Sequence, residues 1–280
     1  MRRRKVLAGA SSVLSSVFAG CLGDTDEVGN GSEDAQRDDS DTTPDDTGAD
    51  DDTKDPGDDV DGDGFTVCHE RNILGPAEVG RMDIFVEVGW TPEVRPEHDE
   101  LNRLIEIYDD APMDATHGAE EGVNLHVEYG NELPMQSEPV SGSDIERLAD
   151  EYFDNGGYGY HYAVFVEELD GDGLGWARDG LVAVQATGLP DEFSTLEIFA
   201  HELGHSLGLD RDVFDGIDSH DTPFEDYPSI MNYAAIHDHE EEYLDFSDGT
   251  NAEGDFDDWG YLEENLYTPD MSQLESDDDC

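Results

Sequence analysis

The sequence predicts an α+β fold, in which a mixed, twisted β-sheet packs against a central helix and an irregular lobe follows towards the C-terminus. Strand-like and helix-like stretches are interspersed over the first part of the folded chain. One apolar, well-capped helix comes next, and beyond Gly208 the chain is rich in turn-forming residues. These three observations together predict the fold class.

Each predicted element carries its own sequence signal. Four stretches have the β-branched, aromatic or alternating composition of strands: residues 82–90, 123–129, 160–168 and 181–186. Two helices are predicted, one over 98–110 from the helical spacing of its apolar residues and one from a capping box at Ser143–Glu146. A second capping box, Ser194–Glu197, begins the central helix, and short helical pieces are expected near 257–266.

The charge balance of the chain is extreme. Its 280 residues include 13 basic and 73 acidic ones, which gives a net charge of −60. Phosphate groups would be repelled, so nucleic acid is excluded as a partner. Beyond residue 80 the apolar residues recur in element patterns, so the acid there indicates adaptation to very salty surroundings, where charges are screened within about 3 Å at 1 M salt.

Residues 1–23 have the pattern of an export signal with a lipid-attachment site. The run RRK at residues 3–5, ahead of a short apolar stretch, resembles a twin-arginine signal, and FAGC at 18–21 resembles a lipobox. We therefore predict that Cys21 carries two acyl chains, which hold the protein at the extracellular face of the cell membrane. Residues 24–58 are predicted to form a disordered acidic linker and residues 59–280 the folded domain.

Two cysteines remain in the predicted domain, Cys68 and Cys280. An extracellular location permits a disulfide between them, which would tie the C-terminus to the start of the domain. The sequence alone leaves open whether the two sulfur atoms meet.

The strongest chemical signal is the run HELGH, residues 201–205, within the central helix. Residues four apart lie on one helical face, so His201 and His205 can direct their rings at one Zn²⁺ with bonds of about 2.0–2.1 Å. Glu202 points away from the ligands and lies near a water molecule at the metal, whose proton it can accept as a general base. Gly208 is placed to end the helix in a left-handed turn.

The stretch HELGHSLGL at 201–209, followed by SIMNY at 229–233, resembles the metzincin zinc peptidases. The first stretch is similar to the zinc signature H-E-x-x-H-x-x-G-x-x-H/D of that family, and the second to the Met-turn beneath its zinc. The resemblance implies a metzincin-like fold and peptide hydrolysis. It further implies that Met231 forms an apolar floor under the ligands and that Tyr233 either binds the metal or stabilises the oxyanion.

The third ligand of the signature should lie at position 211, where this chain has Arg211. A guanidinium is a permanent cation and cannot coordinate zinc. A one-residue adjustment of the chain favours Asp212 instead. Other candidates stay open: Asp210, Asp215, Asp218, His220 and, in a zinc peptidase of another type, a glutamate from 240–242.

Residues 59–70, DVDGDGFTVCHE, have the spacing of a twelve-residue calcium loop. Ligand positions 1, 3, 5, 7 and 12 fall on Asp59, Asp61, Asp63, the carbonyl of Phe65, and Glu70. A glycine occupies position 6, where such loops turn sharply, and the sequence therefore predicts a Ca²⁺ ion at the start of the domain. An ordinary acidic linker is the alternative, since Asp-Gly pairs are common in such segments.

These features lead to two hypotheses of function. The first is a monomeric, lipid-anchored zinc endopeptidase outside the cell, which holds a peptide or protein substrate along an edge strand. By the family resemblance we place that edge at residues 181–186. The second, prompted by Arg211, is a calcium-stabilised surface module for binding or adhesion whose metal site has decayed.

Overall fold

A single sheet of five strands forms the centre of the fold. The computed structural model describes residues 54–72, 74–113, 121–190, 193–237 and 242–274. Its strands are β1 (Asp83–Trp90), β2 (Asn124–Glu132), β3 (His161–Val166), β4 (Gly175–Arg178) and β5 (Leu181–Gln185). They lie in the order β2-β1-β3-β5-β4, all parallel except β4, which is antiparallel to β5. The predicted mixed sheet is confirmed.

The helices pack on both faces of this sheet. They are α1 (Val67–Asn72), α2 (His98–Asp109), α3 (Gly142–Tyr152), α4 (Thr195–Leu207), α5 (Tyr233–His237) and α6 (Asp258–Asn265). On one face, α2 lies against β2 and α4 lies against β4 and β5, and their apolar residues share a core with the fully buried Val86 and Val88 of β1. On the other face, Ile145 and Leu148 of α3 pack against β3. Successive β1 side chains point to opposite faces, so Phe85 joins a third cluster near the start of the domain.

Helix α4 is the central helix that the sequence predicts. Ser194 caps it, accepting a hydrogen bond from the backbone N–H of Glu197, whose carboxylate accepts one from the N–H of Ser194. Gly208 ends the helix in the left-handed region, with φ of 114°. The capping box predicted for α3 is displaced by two residues: Ser141, not Ser143, is the cap, because the Asp144 carboxylate reaches back to it.

The strand at 181–186 is not an edge of the sheet, which corrects the predicted position of the substrate. β5 lies between β3 and β4, so its backbone groups are already paired on both sides. The edge is β4, joined to β5 by Asp179 and Gly180, whose φ values of 51° and 82° are those of a tight hairpin turn. This Asp-Gly pair was the available signal for the short strand that sequence reasoning missed.

The chain beyond α4 forms the predicted irregular lobe, interrupted by the short helices α5 and α6. Residues 54–58 were predicted to be the last part of the acidic linker, but they belong to the folded unit. The carbonyls of Pro56 and Asp58 accept hydrogen bonds from Cys68 and Val67 at the start of α1. In the described ranges no helix combines the length and the apolar character needed to cross a membrane.

Four predicted features of the termini lie wholly or mostly outside the described residues: the export signal, the acylated Cys21, the acidic linker up to residue 53, and Cys280. Cys68 is disulfide-bonded. Its pairing with Cys280 therefore stays a prediction.

Candidate metal centre and active site

Three ligand atoms converge on one face of α4. His201 Nε2 lies 3.1 Å from His205 Nε2. Asp218 Oδ1 lies 3.0 Å from the first of these nitrogens and 3.2 Å from the second. The two histidines come together because residues four apart share a helical face, as the sequence predicts. The aspartate arrives from a loop 13 positions beyond His205.

Both imidazole rings are oriented by backbone carbonyls on the side away from this point. His201 Nδ1 lies 2.9 Å from the carbonyl oxygen of Ile230, and His205 Nδ1 lies 2.7 Å from that of Leu209. A carbonyl oxygen only accepts, so each Nδ1 donates and carries the ring proton. In a neutral ring the Nε2 lone pair then faces the other two ligand atoms, as metal-binding histidines require.

This arrangement fits a zinc ion. Two Nε2 lone pairs and a carboxylate oxygen all present negative charge density to one point, which only a cation can satisfy. Tetrahedral coordination with bonds of 2.0–2.1 Å places ligand atoms about 3.3 Å apart, close to the separations of 3.0–3.2 Å here. Two histidines and one carboxylate are a donor set typical of catalytic zinc, which keeps its fourth position for water.

The shifted pKa values of His205 and Asp218 show that this cluster favours a bound positive charge. Burial alone lowers the pKa of His205, but the Asp218 and Glu202 carboxylates outweigh it and raise the pKa to about 9. Burial alone raises the pKa of Asp218, yet hydrogen bonds with His201 and His205 hold that pKa well below its ordinary range. Burial raises the pKa of Glu202, against the attraction of both histidines.

Asp218, and not the predicted Asp212, completes the cluster. Asp212 is exposed and stands outside the group formed by the two histidines and Asp218. Among the other candidates, Glu242 pairs with Arg103, while Glu240 and Glu241 lie outside the described residues.

The third ligand comes later in the sequence than predicted, because the loop after Gly208 makes several turns before it returns to the two histidines. Phe214 packs on Tyr227 and Phe256, and Ile217 is fully buried, so the loop is anchored in the lobe. Asp218 then meets the histidines with φ of 55°, a left-handed conformation that Asp tolerates better than most residues. Such backbone strain is common at functional sites.

Met231 lies directly under the helix, as the resemblance implies. It is fully buried, and a Cβ placed on Gly204 would come within 2.4 Å of its sulfur. Gly204 of HELGH therefore leaves the space that the Met231 side chain occupies. The same turn supplies two further contacts to the cluster, since the Ile230 carbonyl orients His201 and the Met231 carbonyl accepts the N–H of Asp218.

Buried polar groups hold this turn in place. Ser229 donates a hydrogen bond to Asp258 of α6 and accepts one from the Met231 N–H. Asn232 donates to the carbonyls of Thr222 and Tyr227. The turn is thus tied both to α6 and to the loop that delivers Asp218.

Glu202 occupies the boundary between α4 and the edge strand. A Cβ placed on Gly175, the first residue of β4, would come within 2.3 Å of Glu202 Oε1. The carboxylate therefore lies against the backbone of the edge strand, which brings a candidate general base to the position where an added strand would run. Sequence reasoning did not single out Gly175, and only the packing of the two elements reveals it.

Tyr233 lies beside the cluster at the start of α5. Its ring stacks on that of His201, with centroids 5.4 Å apart and planes at 19°. Its hydroxyl is hydrogen-bonded to Asp218, and burial, together with the Asp218 and Glu202 charges, raises the pKa of the phenol. The phenol therefore keeps its proton at neutral pH and donates it to the Asp218 carboxylate, which can only accept. His220, an alternative ligand in the sequence, packs its ring against Tyr233 instead.

Comparisons with known proteins give limited similarity. No protein-family model matches the chain, and no curated protein matches its sequence. Archaemetzincin from Methanopyrus kandleri is similar in structure with a TM-score of 0.35 and 16% identity, over 58% of this chain and 89% of archaemetzincin. A chain in a chaperone–substrate complex is similar with a TM-score of 0.35 and 11% identity, over 70% of this chain and 34% of its own length. Neither likeness bears on the chemistry of the site.

Proposed function

We propose that this protein is a zinc-dependent endopeptidase that hydrolyses peptide bonds with water. The observation that carries the proposal is the convergence of His201 Nε2, His205 Nε2 and Asp218 Oδ1 beside the Glu202 carboxylate. Three protein ligands, with a partly buried carboxylate beside them, are the minimum set for metal-assisted hydrolysis.

Each residue around the proposed metal has a distinct role. A zinc ion bound here supplies a Lewis acid that acidifies water and polarises a carbonyl. Glu202 accepts the proton of the attacking water and delivers it to the leaving amine, and burial, by raising its pKa, suits the carboxyl to both steps. The Tyr233 hydroxyl, which here donates to Asp218, would donate instead to the oxyanion that forms once Asp218 binds the metal. Met231 keeps the underside of the histidines dry.

The substrate peptide would add to the sheet along β4. An edge strand offers unpaired backbone N–H and C=O groups, which bind an extended chain without regard to most of its side chains. Since β4 begins at the glycine that touches Glu202, a peptide paired with it would pass in front of the general base.

The alternative of a binding module with a decayed site loses its main support. That hypothesis rested on Arg211 at the position of the third ligand, and Asp218 supplies a carboxylate in its place. Arg211 is exposed and is not one of the three clustered ligands, although its charge acts on the neighbouring Tyr233.

Exchange of Glu202 for glutamine tests the proposed mechanism. We expect Glu202→Gln to keep about one zinc per chain and to lower peptide hydrolysis about 10²–10⁴-fold, the usual contribution of a general base. Zinc is measured by elemental analysis and hydrolysis with an unfolded protein such as casein in concentrated KCl. The control is Glu264→Gln, an exposed carboxylate on α6. Full activity of Glu202→Gln, or wild-type protein without zinc, would disprove the proposal.

We also propose that the enzyme acts outside the cell, anchored through Cys21. Support comes from the RRK and FAGC patterns of the first 23 residues. A Cys21→Ser variant should move from the membrane fraction to the medium, and its retention in the membrane fraction would contradict the anchor.

A further inference from the structure

A cluster of acidic side chains lies at the start of the folded unit and shares no residue with the histidine cluster. The loop that begins at Asp59 closes on itself, because the two Asp59 oxygens accept hydrogen bonds from the N–H groups of Gly62 and Gly64. Both glycines have positive φ, 86° and 93°, so they form the sharp turn that a calcium loop needs at this place.

The structure joins the loop to the first strand of the sheet. Asp59, Asp61 and Asp63 form one group of carboxylates, and Asp63, Glu70 and Asp83 form another, with the ligand oxygens of each group within 4.8 Å of one another. Asp63 belongs to both groups. Asp83, the first residue of β1, was not among the ligands predicted from sequence, because it is 20 positions from Asp63.

Burial makes this cluster unusual. Asp61, Asp63, Glu70 and Asp83 are each no more than 3% exposed. Carboxylates are almost never buried to this extent unless they are paired or coordinate a metal.

Three of the buried oxygens receive no hydrogen bond from the described part of the chain. They are Asp61 Oδ1 and both oxygens of Glu70. Both oxygens of Asp63, by contrast, accept backbone N–H groups, from Phe65 and from Asp83. The backbone therefore holds Asp63 as a carboxylate while its neighbours direct bare oxygens at the same small volume, and a cation is the partner that this arrangement lacks.

The nearby positive charges do not meet this need. His126 lies against Asp83 Oδ1, and Lys54, which weakly lowers the pKa of Glu70, donates to the Val79 carbonyl.

The chemistry of the cluster identifies the ion. The available donors are carboxylate oxygens, which suit a hard cation, and zinc would favour nitrogen or sulfur ligands. Six to eight oxygens at 2.3–2.6 Å from one ion lie up to about 5 Å apart, consistent with the spread of each group, whereas Mg²⁺ needs a tighter octahedron. We propose that Asp61, Asp63, Glu70 and Asp83 bind one calcium ion, with Asp59 closing the loop around it.

The ion fastens three separate parts of the chain. The loop before α1 and the start of β1 supply the ligands, and the C-terminal segment covers them, since the Thr268 hydroxyl donates to the Asp63 carbonyl. One residue earlier, the Tyr267 N–H donates to the Leu207 carbonyl at the end of α4. The ring of Phe65, whose carbonyl was a predicted ligand, packs edge-on against Phe85 of β1.

Calcium added to the full chain, after all metal has been removed by a chelator, tests the proposal. In concentrated KCl we expect one calcium ion per chain by elemental analysis. The melting temperature, followed by circular dichroism, should rise by about 5–10 °C at 100-fold excess over Kd. Magnesium alone should give a smaller shift, because its octahedral demand is poorly met.

Variants distinguish a specific calcium site from general screening of the acidic residues by divalent cations. Glu70→Gln should lose both the bound calcium and the shift, while Asp172→Asn, an exposed carboxylate in another Asp-Gly turn, should retain them. If Glu70→Gln does not fold, Asp61→Asn takes its place. Zinc binding, measured in the same samples, should be the same in all variants. Absence of bound calcium in the wild type, or equal shifts in Glu70→Gln and Asp172→Asn, overturns the proposal.

Discussion

At the scale of single residues, the candidate active site depends on which carboxylate reaches the two histidines. The local pattern places His201 and His205 on one face of a helix, but it directs attention to positions 210–212 for the third ligand. Asp218 takes that place because the loop before it is anchored through Phe214 and Ile217. Because Asp218 contacts both rings, it is the residue on which the proposed zinc affinity would depend most.

We expect Asp218→Asn to lower zinc affinity more than about 100-fold, because loss of a ligand's charge should exceed the 10–100-fold cost of losing an outer contact. Asparagine tolerates the left-handed conformation, so the fold should be kept. The matched control is Asp212→Asn, which should bind zinc as the wild type does. Competition with a zinc chelator measures both affinities. A larger loss of zinc affinity in Asp212→Asn than in Asp218→Asn would show that Asp212 is the third ligand.

At the scale of elements, the packing of α4 against β4 forms the proposed reaction site. Helix α4 presents Glu202 on the side that faces the edge strand, and β4 begins with the one residue type that lets the carboxylate approach its backbone. An antiparallel edge next to the general base explains how a chain of any sequence could be held for attack. Neither element is sufficient alone, since the helix supplies the chemistry and the strand supplies the position.

Gly175→Ala should separate positioning from metal binding. Its new Cβ would overlap Glu202 Oε1, at 2.3 Å, and so force the carboxylate or the strand to move. A displacement of about 1 Å costs roughly 10²-fold in rate, so we expect kcat/KM to fall by that factor with zinc content unchanged. Gly75→Ala, at a position with nothing within 4 Å, is the control. Equal activity of both variants would show that Glu202 does not act from this position.

At the scale of the whole molecule, a net charge of −60 sets the conditions under which the fold is stable. Like charges on a compact surface repel one another and favour expansion of the chain. Salt shortens the range of this repulsion from about 10 Å at 0.1 M to about 3 Å at 1 M.

We therefore expect the protein to unfold in dilute buffer and to refold as KCl rises towards about 1 M and beyond. Circular dichroism across a KCl series measures the transition. Sucrose, which favours burial without screening charge, should restore much less structure at low salt. A chain that stays folded in dilute buffer would show that the acidic surface is not a requirement for high salt.

The sequence by itself determined those features that depend on neighbours along the chain. Helical spacing placed His201, Glu202 and His205, a capping box began α4 and Gly208 ended it. β-branched and aromatic composition, with alternation in one stretch, located four of the strands. The acidic loop from Asp59 was also readable, because a calcium loop is defined by local spacing. Each of these features has a signal within a few neighbouring residues, so it could be predicted without knowledge of the tertiary structure.

Only the tertiary structure decided which distant residues complete each site. It brought Asp218 to the histidines, Asp83 to the acidic loop and Gly175 to Glu202, and it placed β4 rather than β5 at the edge of the sheet. The physical reason is the same in each case. These partners are selected by how buried side chains and paired strands pack across long stretches of chain, and no short-range pattern in the sequence encodes that packing.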